Sequence, residues 1–266
     1  MDLELIGKTA IVTGGSAGIG LACAKALYRE GVNTAIAARD EERLEQAVHE
    51  IRSAATNPAE AEIMAISGDL TRAEDIQRVV QTAYKRFGRI DILVNNAGSA
   101  RAGAFSDLED ETFLEAWNLK LLGYIRMVRA VLPYMSEQKD GRIVNIIGGA
   151  AHTPSPTFLP GSTANAALLN FTKGISKELV RNNIRINAIS PGSTATERAK
   201  RLNKQTAEAK GISEQEAWQQ SIGDIPLGRR IEPEEIAAMA VFLVSDLAAS
   251  VVGAEVAIDG GSSPCV

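Results

Sequence analysis

The chain has 266 residues, a formal net charge of −5, a pI near 5.3, and 45% hydrophobic against 23% charged residues. That usage excludes long disordered or collagen-like segments, and the missing basic excess argues against a nucleic-acid partner. Two cysteines, Cys23 and Cys265, cannot build a disulfide framework, and no apolar run reaches membrane-spanning length, so a soluble cytoplasmic protein with no membrane partner is expected.

In chain order, strand and helix signals alternate. Residues 8–13 are an apolar run ending in a glycine cluster, the mark of a buried strand. Residues 19–29 read as a helix and Asn33–Ala38 as a second strand. Glu41–Ala54 carries Leu44, Ala47, Val48 and Ile51 at helical spacing. Residues 61–67 form a third strand. Thr71 and Glu74 have the spacing of a capping box before a helix over 76–87. A fourth strand over 90–95, a long helix over 111–135 and a fifth strand over 142–147 follow. A helix over 162–180, a sixth strand over 184–189, a helix from Pro233 and a last strand at Glu255–Ile258 complete the set. This alternation predicts an α/β fold, a doubly wound parallel sheet with helices on both faces, as a single domain over 1–266. Residues 193–228 are polar, lysine-rich and irregular, and carry Trp218. A stretch of that length inside one domain reads as a substrate lid.

The glycine cluster, Thr13-Gly14-Gly15-Ser16-Ala17-Gly18-Ile19-Gly20, links the first strand to the first helix. Glycines permit a tight turn and close approach of the backbone to a pyrophosphate, and the helix N-terminus adds free N–H groups and a favourable dipole. The second strand ends in Ala37-Ala38-Arg39-Asp40. An acid that would hold a ribose 2′-OH is missing at Ala38, and the Arg39 guanidinium suits a 2′-phosphate, so NADP(H) is favoured over NAD(H). The alternative is a solvated Arg39 with Asp40 on the ribose.

Further motifs follow the later strands: Asn95-Asn96-Ala97-Gly98, Pro191-Gly192, Pro226-Leu227-Gly228-Arg229 and Asp259-Gly260-Gly261. With the Thr-Gly-x-x-x-Gly-x-Gly turn, they make the whole chain resemble the short-chain dehydrogenase/reductase family. The resemblance implies a Rossmann-like domain with seven parallel strands, in a homotetramer or homodimer acting on a small-molecule substrate. It implies a pyrophosphate over Gly14, Ser16, Gly18, Ile19 and Gly20, with Asp69 and Leu70 at the adenine. Asn95, Ala97 and Gly98 would border the ribose, and Pro191, Gly192, Thr194 and Thr196 the nicotinamide amide. No metal is expected.

The family's active centre uses an asparagine, a serine, a tyrosine and a lysine. Tyrosine needs nearby positive charge to work near neutrality, because its free pKa is about 10. By the same resemblance Asn118 takes the asparagine position, but Gly148, Gly161 and Asn165 take those of serine, tyrosine and lysine. No tyrosine follows Tyr134 and no lysine lies between Lys139 and Lys173, so no shift of register restores them. Tyr124 reads as core or interface.

Candidate replacements are few. His152, four residues after Gly148, has a side chain suited to acid–base work, or is a surface loop residue. Arg101 would bind an anionic substrate group or serve the surface. Ser162 would polarise a carbonyl or cap a helix. Asn165 would hydrogen-bond the cofactor ribose. Trp218 would pack on substrate or anchor the lid. Glycines at 148 and 161 either enlarge the cleft or let residues 153–158 fold inward and fill it. Three functions are then open: an oxidoreductase with an altered centre, an inactive cofactor-binding subunit or sensor paired with an active paralogue, or a non-redox elimination or isomerisation.

Overall fold

In the computed structural model, which describes residues 2–54 and 61–264, the apolar runs become seven strands. These are β1 (Thr9–Thr13), β2 (Asn33–Ala38), β3 (Ile63–Ser67), β4 (Ile92–Asn95), β5 (Gly141–Ile146), β6 (Ile184–Pro191) and β7 (Glu255–Ile258). They form one sheet in the order β3-β2-β1-β4-β5-β6-β7, every pairing parallel. Consecutive strand residues point to opposite faces, so both faces need apolar cover. Val12 and Val94 join one core with α1 (Gly18–Arg29), α2 (Glu41–Ala54) and α9 (Pro233–Val244). Ile11 and Leu93 join the other, beneath α3 (Ala73–Phe87), α5 (Gly123–Gln138) and α6 (Leu159–Leu179). Two-sided burial is why these strands read as unbroken apolar runs rather than alternating ones. Cys23 is fully buried on α1, and burial pushes its thiol up to about 12. Cys265 lies outside the described residues. Among the described residues no helix is long and apolar enough to cross a membrane.

Several expectations are corrected. α3 begins at Ala73 without a side-chain cap. Thr71 Oγ1 instead donates to Asp69 Oδ1 at 2.8 Å, and Glu74 pairs with Arg72, so the capping box does not form. The long helix is two helices, α4 (Asp110–Ala116) and α5, joined by a π-helical turn at Trp117–Leu122. α6 starts at Leu159, three residues early, because Pro160 suits the first turn. The stretch 193–228 is largely helical, holding α7 (Glu197–Lys210) and α8 (Glu214–Ile222). Thr196 caps α7, and Ser213 with Glu216 forms a capping box on α8. The buried face here is mostly Ala199, Asn203, Ala207 and Ala217. Small and polar residues leave no hydrophobic period to read.

Candidate active site

The strand order reverses between β1 and β4, and their carboxyl ends open onto a cleft of about 700 Å³. The glycine turn forms one end of it. Asn96 fastens that turn: its backbone N–H and that of Ala97 donate to Thr13 Oγ1, and its Nδ2 donates to the Thr13 and Gly14 carbonyls. A Cβ at Gly20 would lie 2.3 Å from the Gly14 carbonyl oxygen, so only glycine allows this closure. α1 enters through Ala17 with no side-chain cap. Its first-turn N–H groups and the positive end of its dipole therefore face the cleft at Gly18 and Ile19.

Gly14, Gly18, Ile19, Ala97, Gly98, Pro191, Gly192, Thr194 and Thr196 all line this cleft. Ser16 is partly buried on the same turn, and Gly20 is buried behind it. Arg39 and Asp69 line an adjoining hollow of about 530 Å³, together with Arg101 and Asn118. Leu70 is buried in the core. Asp40 is committed to α2: its Oδ1 accepts from the Arg43 N–H at 3.1 Å, and its carboxylate pairs with the Arg43 side chain. Asn95 does not reach the cleft. Its Nδ2 donates to Asn145 Oδ1 at 3.0 Å, and Asn145 Nδ2 donates to Thr172 Oγ1 at 2.9 Å, a buried chain joining β4, β5 and α6.

The comparisons with known proteins agree with this architecture. The family model for short chain dehydrogenases matches residues 8–207. The chain belongs to the short-chain dehydrogenase family. Its relatives include the granaticin polyketide synthase putative ketoacyl reductase 1 of Streptomyces violaceoruber, 36% identical over 95% of this chain and 92% of that one. The NADPH-dependent reductase BacG of Bacillus subtilis is 32% identical, over 96% of each chain. Among solved structures, L-sorbose reductase from Gluconobacter frateurii, complexed with NADPH and L-sorbose, superposes with a TM-score of 0.94. It is 30% identical, and each chain is fully covered.

In this short-chain dehydrogenase the tip of β5 and the start of α6 interlock. Gly148 has φ +135°, a conformation L side chains rarely adopt, and a Cβ there would stand 3.0 Å from Asn165 Nδ2. A Cβ at Gly161 would lie 2.2 Å from the Phe158 ring. That ring lines the cleft and takes the space beside Gly161, while Thr153, Pro154, Pro156 and Thr157 stay exposed, so of residues 153–158 it is Phe158 that turns inward. Asn165 is buried, and its Oδ1 has no hydrogen-bond partner among the described residues.

The other candidate residues scatter. Asn118 points away from the cleft, where its Oδ1 accepts from Arg126 Nη1 at 2.8 Å. The π turn accounts for this, because it carries more residues than an α turn and so rotates the register around the helix. It brings Lys120 into the cleft instead. The Lys120 ammonium donates to the Ile147 carbonyl. Burial, and then the charge of Arg198, push it down to about 8. His152 Nε2 sits 2.6 Å from Glu255 Oε2, outside the cleft lining. Ser162 is inside the first turn of α6 rather than capping it, and its Oγ donates to the Phe158 carbonyl at 3.0 Å. Trp218 lies under Arg230, 4.4 Å from ring centroid to guanidinium, and anchors α8 to the loop before α9. Tyr124 is fully buried, donates to the Ile146 carbonyl at 3.0 Å, and has its phenol pushed up by burial. Tyr134 is at the far end of α5, stacked on Tyr84.

Sequence reading missed Lys120, Arg198 and Arg230, all of which line the cleft. Lys120 was overlooked because Asn118, two residues away, matched an expected side chain and a π turn leaves no legible signature.

Proposed function

We propose that this chain is an NADP(H)-dependent oxidoreductase that reduces a carbonyl on a small-molecule substrate. In this reading its active centre is non-standard, with Gly148, Gly161 and Asn165 where the family resemblance implies serine, tyrosine and lysine. The observation that carries it is one continuous cleft, running from the uncapped N-terminus of α1 to Gly148 at the tip of β5. The fit to the cofactor is chemical. Gly14, Ser16, Gly18, Ile19 and Gly20 would hold the pyrophosphate. Arg39 would pair with the 2′-phosphate, Asp69 and Leu70 would border the adenine, and Ala97 and Gly98 the ribose. Pro191, Gly192, Thr194 and Thr196 would hold the nicotinamide amide. Asn165, with an unpartnered buried oxygen behind Gly148, would steady the ribose side. When bound, the reduced nicotinamide supplies a hydride. The chain's own contribution is to orient substrate against it, which is a large share of catalysis.

Residues 193–228 would close over the substrate as a lid, and the chain would assemble as a homotetramer or homodimer, which light scattering decides. The names of the relatives support both the cofactor and the reaction direction. Titration of protein fluorescence with NADPH and NADH, followed by absorbance at 340 nm with a panel of ketones, tests the reading. NADPH should bind at least about tenfold more tightly than NADH, since a charge-assisted pair contributes about 1.5–3 kcal/mol. Failure of NADPH to bind sinks it.

A second reading has its own observation. Phe158 occupies the place over Gly161, as a cofactor-binding subunit without turnover would permit. NADPH binding without reduction of any carbonyl, and co-purification with a tyrosine-bearing relative, would favour it.

A further inference from the structure

We propose that the Lys120 ammonium is the proton donor to the carbonyl oxygen of the substrate, an inference that rests on the oxidoreductase reading above. The placement carries it. The Lys120 stem runs past Gly98, where a Cβ would stand 3.0 Å from its Cδ, and its Nζ ends at the Ile147 carbonyl, one residue before Gly148. The ammonium thus lies between the tips of β4 and β5, in the cleft that holds the glycine turn. Tyr124, the tyrosine nearest this point, is spent on the Ile146 carbonyl and closed off from the cleft.

The groups around Lys120 leave it free to release a proton. Among the described residues no carboxylate forms an ion pair with it. α7 presents Arg198 and Glu197, and Glu197 is tied to Lys200. The loop before α9 presents Arg230, stacked on Trp218. The facing part of α6, residues 159–172, has no ionisable side chain. Glu115 of α4 and Arg126 of α5 stand with Asn118 on the opposite side of the helix. Burial and Arg198 both favour the neutral amine, which brings Lys120 into the range useful for acid–base chemistry near neutral pH.

The step balances. As the carbonyl carbon receives hydride, its π pair moves to oxygen and that oxygen takes a proton from Nζ. The N–H pair stays on nitrogen, leaving a neutral amine that water reprotonates, and the products are an alcohol and the oxidised cofactor.

Lys120→Met and Lys120→Arg test this, with ethyl acetoacetate and 2,3-butanedione as probes and NADPH oxidation at 340 nm as the rate. The wild type should lose kcat/KM above about pH 8, the value to which the ammonium is pushed. Lys120→Met should lower kcat by ~10²–10⁴-fold, the usual worth of a general acid. Lys120→Arg should remove the alkaline limb. Both should bind NADPH, read by fluorescence, within about threefold of wild type, a spread of under 1 kcal/mol. Lysine Cε NMR of the cofactor-free protein, assigned by Lys120→Met, should show one lysine titrating near pH 8. The proposal is overturned if Lys120→Met keeps near-wild-type kcat, or keeps the alkaline limb. It is overturned equally if Lys120 titrates with the other lysines, or if wild type binds NADPH yet reduces neither probe. Wild type that does not bind NADPH at all defeats the oxidoreductase reading instead.

Discussion

At the glycine turn the cleft is built from backbone, whereas at the tip of β5 it is built from side chains that fit only as a set. The turn needs missing Cβ atoms, an uncapped helix and the clamp of Asn96 on Thr13 and Gly14. At the other end, Gly148 makes room for Asn165, Gly161 makes room for Phe158, and the π turn delivers Lys120. Backbone recognition depends on local sequence and so is read from a motif. A fitted set of side chains depends on tertiary neighbours, and no motif announces it.

The sharpest blow to the first end is Gly20→Val. Its Cβ would meet the Gly14 carbonyl, and backbone cannot step aside as a side chain can. We expect a loss of about 3 kcal/mol in stability, at the upper end of usual overpacking, and at least tenfold weaker NADPH binding. Denaturant melts and fluorescence titration check both. Unchanged binding would mean the turn does not hold the pyrophosphate.

At the second end, Lys120→Met should make the protein more stable at neutral pH. Folding lowers the Lys120 pKa from about 10.4 in the unfolded chain to about 8. Between those values the unfolded state binds more protons, so this group's contribution to stability rises with pH. Below pH 8 the buried charge is a constant cost, on the order of 2–3 kcal/mol. The gain from methionine should therefore be largest at pH 7 and fade by pH 10.5. Urea melts at several pH values decide it, and a pH-independent difference would show that Lys120 is well solvated.

Gly161→Tyr tests whether the side chains really fit as a set. The new Cβ would overlap the Phe158 ring, so the single variant should lose about 1–3 kcal/mol. Adding Phe158→Ala should return much of that loss, giving a coupling of about 1 kcal/mol or more in a double-mutant cycle. Simple additivity would mean that Phe158 moves freely. Smaller still, Arg39→Ala should narrow the preference for NADPH over NADH by about tenfold, with NADH binding unchanged. If preference survives, Arg101, which lines the same hollow, is the guanidinium that matters.

The same contrast explains what could be read beforehand. The parallel sheet was legible because two-sided burial writes itself as apolar runs, and Glu41–Ala54 and Glu255–Ile258 emerge with the bounds expected of them. The glycine turn was legible because its residues are adjacent in the chain. α7 and α8 were not, since their inward faces are largely alanine and asparagine. Asn95 looked like a ligand-facing residue because it opens a motif, yet it lies at the end of β4 with its side chain turned to Asn145. Lys120 was hidden by helix geometry. The family resemblance puts Asn118 at the active centre, and the π turn over Trp117–Leu122 leaves its side chain on Arg126 instead.

The smallest effect belongs to His152, and it bears most directly on the proton donor. On sequence alone this side chain was a candidate acid beside Gly148. In the fold its Nε2 meets Glu255, whose other oxygen accepts from Ser190 Oγ, and its imidazole is 39% exposed. A partly exposed hydrogen bond contributes about 0.5–1.5 kcal/mol at most, so His152→Ala should change stability by about 1 kcal/mol or less and kcat by less than about twofold. An acid that left the mechanism would lower the rate by ~10²-fold or more, a gap wide enough for one kinetic measurement to separate the two roles. If His152→Ala loses activity to that degree while Lys120→Met does not, the proton arrives from the β7 side of the cleft, and the loop at 149–152 must swing inward when substrate binds.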